Sequence, residues 1–173
     1  CPRGIGWWRR SSAGTAGCWT GSAPCRSCNA AIIGRFIVDI KRGLGWIWYI
    51  GDNTDKFERD KCGKWMYYFD NRDFAAQICE EAVKTGIVEE AKYADADTGV
   101  CCFYLNCDDI DAHKKVISYF LEKRLIKKTK AGKLHNISFK LNSQTRAGQY
   151  GEDFQGTIKL ADFIDLDTGN WIK

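Results

Sequence analysis

The sequence predicts an α+β domain: a single, mostly antiparallel sheet of about six strands with two main helices on one of its faces. Two observations carry this. Short aromatic and β-branched runs recur between clusters of turn residues, as strands do. Two longer stretches instead space their apolar residues at helical intervals behind a capping Asn or Asp. Their order, ββαββαββ, suits antiparallel neighbours with the helices segregated to one side of the sheet.

Residues 44–50, Leu-Gly-Trp-Ile-Trp-Tyr-Ile, form the first predicted strand, and the polar residues 51–63 a loop. Residues 64–69 read as the second strand. Asp70 or Asn71 then caps a helix running to about Thr85, with Phe74, Ile78, Ala82 and Val83 on its inner face and Gly86 as its stop. Residues 89–93 and 100–106 read as the next two strands, joined by the turn-forming residues 95–99. Asp108 or Asp109 caps a second helix over residues 110–125, with Ile110, Ile117, Phe120, Leu121 and Leu125 inward. Lys123, Arg124, Lys127 and Lys128 stand at its end, where cations suit the helix dipole. A strand over 134–140, a polar connection, and a last strand over 157–163 complete the order.

Composition divides the chain unequally. The formal charge of the 173 residues is +4, yet residues 1–30 hold four Arg and no Asp, Glu or Lys, so the remainder is neutral. The basic excess therefore gives no support to a nucleic-acid surface on the folded body. Residues 1–30 are also rich in Gly, Ala, Trp and Cys and contain both prolines, whereas the lysines all fall at position 41 or later. That segment reads as a disordered or non-native stretch to be set aside, with residues 31–173 as a single α+β domain.

Cysteine usage points to a reduced, cytoplasmic setting. The body carries five cysteines, an odd number with Cys101 and Cys102 adjacent, which is a poor disulfide framework. Cys18, Cys25 and Cys28 lack a compact second ligand pair, so neither a structural zinc nor any other metal or cofactor is expected. No apolar run reaches the length of a membrane span, and no membrane partner is expected.

The most informative stretch is the connection over 140–151. It places Lys140, Thr145, Arg146 and Tyr150 on one glycine-broken segment: two cations for phosphate oxygens, a hydroxyl and a phenol as donors, and Gly148 for close backbone approach. The plainer alternative is a solvated loop between strands. Trp46 and Trp48 share one sheet face by alternation, and with Trp65 they could offer an aromatic platform to a flat ligand or could simply pack the core. His113, beside Lys114 and Lys115, reads as a surface residue, and His135 flanks a strand start. Neither belongs to a hydrolase triad or a metal-spaced pattern, and no P-loop or dinucleotide fingerprint is present.

From about Gly43 to Phe163 the ordered elements resemble the phosphothreonine lyase domain-containing proteins. The resemblance rests on Gly45-Trp46-Ile47, Gly63-Lys64-Trp65, Ala91-Lys92, the strand from Val100 to Tyr104, and Phe139-Lys140 followed by Thr145, Ala147-Gly148 and Tyr150. The family usually shows Tyr-Lys-Thr-Asp where this chain has Phe139-Lys140-Leu141-Asn142. The resemblance implies a fold similar to that of the mRNA cap-binding translation initiation factor. It also implies a ligand site drawn from Lys64, Lys140, Thr145, Arg146, Tyr150, Trp46 and Trp65. Were the family's implied β-elimination to operate, Lys92 would be the base for the Cα proton and His135 the acid for the leaving oxygen.

The first functional expectation is a domain that binds a phosphate- or nucleotide-type ligand, whether a phosphorylated small molecule, a nucleotide or a phosphoprotein. A carbon–oxygen lyase acting on phosphothreonine, and a phage or bacterial interaction module without catalysis, are the alternatives.

Overall fold

The structure, a computed structural model, describes residues 38–151 and 154–172. Contacts divide the chain into Cys1–Ile32 and Ile33–Lys173, and the described residues belong to the second unit. The expectations for residues 1–30 lie outside the described residues.

The elements are β1 (Asp39–Gly43), β2 (Trp46–Ile50), β3 (Cys62–Phe69), α1 (Arg72–Lys84), β4 (Glu90–Ala94), β5 (Gly99–Asn106), α2 (Ile110–Glu122), β6 (Ser138–Leu141), α3 (Asn142–Arg146) and β7 (Ile158–Lys159). The strands form one antiparallel sheet in the order β1-β2-β4-β5-β3-β6-β7. The α+β class is therefore as the sequence predicts, with seven strands instead of about six among the described residues.

Alternation sorts the side chains. Ile47 and Tyr49 of β2, Trp65 and Phe69 of β3, Ala91 and Tyr93 of β4, and Cys101, Phe103 and Leu105 of β5 are buried in one core. Ile78, Cys79, Ala82 and Val83 of α1 and Val116, Ile117 and Phe120 of α2 close over that face. The two helices also touch: the Tyr119 hydroxyl donates to the Ile78 carbonyl at 3.0 Å. Asn71 and Asp109 cap them by accepting from the backbone N–H groups of Phe74 and Ala112.

Six local readings are corrected, one being the strand over 134–140, which is β6 only from Ser138 onward. Strand β1 was not expected, because Asp-Ile-Lys-Arg-Gly is polar and exposed throughout. It is held by a two-residue hairpin in which Leu44 and Gly45 both adopt positive φ, 49° and 74°. Residues 142–146 form α3, not an open loop. Residues 157–163 contribute only the two-residue β7 before turning into a 3₁₀ segment, Leu160–Asp162. Ile110 is half exposed at the first turn of α2 instead of facing inward. His113 is fully buried, since it lies on the same helical stripe as Val116, Ile117 and Phe120.

Candidate functional site

The sheet face turned away from α1 and α2 carries the candidate site. Strand register aligns Glu90, Tyr104, Lys64 and Lys140 in one row across β4, β5, β3 and β6. The next row runs through Trp48, Lys92, Cys102 and Met66 across β2, β4, β5 and β3. Three lysines from three strands thus share one face because each occupies the outward phase of its strand. A cleft of about 360 Å³ opens there. Trp46, Lys64, Lys92 and Lys140 line it from the sheet, and Thr145, Tyr150 and Phe154 line it from the segment after β6.

Lys64 is 7 % exposed. Its ammonium donates to Asn142 Oδ1 and Thr145 Oγ1, each at 2.9 Å, so α3 folds back onto it. Burial holds Lys64 below the ordinary lysine range, and the charges of Lys92 and Lys140 push the same way. Cys102 opposes this only as a thiolate, but burial pushes its thiol up to about 11, leaving it neutral near pH 7. Lys140, 4 % exposed, donates to the Gln149 carbonyl and lies 3.9 Å from the Tyr150 ring centroid and 4.9 Å from that of Phe154. Burial lowers its pKa as well. Lys92 sits 4.1 Å from the Trp46 ring centroid and 5.5 Å from that of Trp48, so indole faces hold its charge.

No ion pair to a carboxylate forms at Lys64, Lys92 or Lys140 among the described residues, whereas seven other lysines and arginines of the unit have one. Lys64 and Lys140 are moreover directly opposite on β3 and β6, a pairing of like charges that works against the sheet. Gly63 permits the close approach of these strands. A Cβ there would stand 2.5 Å from the Phe139 ring and 2.8 Å from the Lys140 carbonyl oxygen.

Of the expected site residues, the structure brings together Trp46, Lys64, Lys92, Lys140, Thr145 and Tyr150. Three stand elsewhere. Trp65 is on the helix-side face, fully buried, its indole N–H donating to His113 Nδ1 at 3.0 Å. Arg146 is exposed at the end of α3 and reaches the Arg59 carbonyl at 3.5 Å. His135 lines a neighbouring pocket with Lys127, Asn136 and Ile137, which shares Met66 and Tyr68 with the cleft. Of the cleft residues that the sequence reading does not assign to a site, Met66, Tyr68, Val100 and Cys102 stand on the outward phase of β3 and β5, which Lys64 and the strand alternation already define, and Phe154 follows β6.

The five cysteines of the unit are free thiols. No helix of the described residues is long and apolar enough to cross a membrane. Among those residues no cluster of His, Cys, Asp and Glu suits a metal ion. No protein-family model matches the chain, and no curated protein matches it.

Proposed function

We propose that this domain binds a phosphate-bearing ligand of nucleotide type on the open sheet face. The anion lies among Lys64, Lys92 and Lys140, and the flat ring lies against the wall that Trp46 and Tyr150 supply. One observation carries the reading: Lys64 and Lys140 face each other across β3 and β6, nearly buried, with no carboxylate beside either among the described residues. Taking a cation out of water is costly unless an opposite charge compensates it. Two adjacent buried cations with a third nearby make a cleft whose missing partner is an anion of more than one charge. The cleft volume is that of a small-molecule site, and its aromatic lining suits a ring better than an extended chain. The free thiols fit a reducing, cytoplasmic setting.

Thermal shift and calorimetric titration of the full chain test this, using ADP, adenosine, inorganic pyrophosphate and a phosphothreonine peptide. ADP and pyrophosphate raise the melting temperature, adenosine does not, and added salt weakens the effect. Indifference to every phosphate compound would overturn the proposal. Phosphate release from the peptide, leaving a dehydrated residue, would favour the lyase alternative instead.

A further inference from the structure

The hydrogen bonds of Lys64 to the protein leave one position at Nζ unassigned. An ammonium has three donors, whereas a neutral amine has two and a lone pair. Two protein oxygens, Asn142 Oδ1 and Thr145 Oγ1, accept from Lys64, and both are uncharged. Thr145 Oγ1 in turn lies 3.4 Å from the Leu141 carbonyl, which can take its hydroxyl proton and leave its lone pair for Lys64. The remaining tetrahedral position at Nζ belongs to the cleft that Lys64 lines. Loss of the proton at that position leaves both hydrogen bonds in place and a lone pair on the cleft side, with the stem packed between β5 and β6.

The groups around it agree. Burial favours the neutral amine at Lys64, and the charges of Lys92 and Lys140 on the same face add to this. Glu90 stands in the same row but two strands away, beyond Tyr104, and burial raises its pKa. Burial also pushes the Cys62 and Cys102 thiols up to about 11, so neither supplies a thiolate near pH 7.

We propose that Lys64 is a carbonyl-reactive lysine, forming an imine with a phosphate-bearing aldehyde whose phosphate is held by Lys92 and Lys140. This rests on the anion-binding reading of the same cleft. The neutral amine attacks the aldehyde carbon, a C–N bond forms, and the C=O π pair moves to oxygen. A proton passes from nitrogen to that oxygen to give a carbinolamine. Uptake of one solvent proton lets water depart as the nitrogen lone pair forms C=N, leaving a protonated imine. Nothing is oxidised or reduced, and the proton taken up from solvent becomes the positive charge of the imine.

Pyridoxal 5′-phosphate serves as the probe, because it joins an aldehyde, a phosphate and a flat ring. The full chain is treated with less than one equivalent, reduced with borohydride and mapped by peptide mass spectrometry. Burial and the neighbouring cations favour the unprotonated amine at Lys64, so Lys64 is the principal labelled position, ahead of exposed Lys56 and Lys84. Pyridoxal without the phosphate loses that preference, and pyrophosphate competes. In a Lys64→Arg chain, circular dichroism reports folding and the label falls to the surface level. Label spread over exposed lysines, or concentrated on Lys92 or Lys140 with Lys64 unmodified, overturns the inference. If ADP binds while Lys64 stays unlabelled, the imine fails and the anion-binding reading stands. If neither ADP nor label is taken up, both fail.

Discussion

Trp65 and His113 depend on each other's protonation. The indole N–H is a donor only, so His113 Nδ1 must be the unprotonated acceptor and Nε2–H the donor to the Cys107 carbonyl at 3.2 Å. Burial then holds the His113 pKa below its usual 6.5, and protonation would turn Nδ1 into a second donor facing a donor. The unfolded chain binds this proton more readily than the fold, so stability rises with pH through the window below about 6.5. Chemical denaturation should accordingly show the unfolding free energy falling from pH 7 to pH 5. A His113→Asn chain should be less stable at pH 7 and flatter across that range, and an unchanged slope would remove His113 as the cause. The sequence held the signal for this burial, since positions 113, 116, 117 and 120 form one stripe, but the adjacent lysine pair suggested solvent. The outward lysines were legible singly, as cations in strands. That they meet depends on pairing register, which no local pattern specifies.

At the scale of elements, the strongly periodic segments were readable and the polar ones were not. α1, α2 and strands β2 to β5 each carry an apolar face, and their positions follow from it. β1 and α3 have no buried residue and owe their form to neighbours: β1 to its pairing with β2, and α3 to Gln144, which accepts from the Leu141 N–H at 3.1 Å, and to the Lys64 contacts. The strand-like residues 134–137 leave the sheet, and β3 pairs with β6 only at Gly63 and Lys64. That short junction positions the two buried lysines, which makes Gly63 its sensitive point. Gly63→Ala should destabilise the domain by about 1–3 kcal/mol, since Phe139 and the β6 backbone must both shift. Denaturant midpoints measure this, and a change within about 0.5 kcal/mol would show that β6 yields without cost.

For the molecule as a whole, the two faces of one sheet do different work. One is covered by both main helices and holds the core. The other keeps three lysines and several aromatic rings around a cleft, at an electrostatic cost that the core does not require. The measurement bearing most directly on this division is the affinity for ADP of the wild-type chain beside a Lys64→Met/Lys140→Met chain and an Arg146→Ala chain. Methionine keeps the apolar stems and removes the charges, so the double variant should fold at least as stably. Its ADP affinity should fall by more than about tenfold, because each charge-assisted contact contributes about 1.5–3 kcal/mol. Arg146→Ala, outside the cleft, should change affinity by less than about threefold, or roughly 0.6 kcal/mol. Equal ADP affinity in the wild-type and double-methionine chains, or a loss confined to Arg146→Ala, would contradict the assignment of the open sheet face as the ligand site.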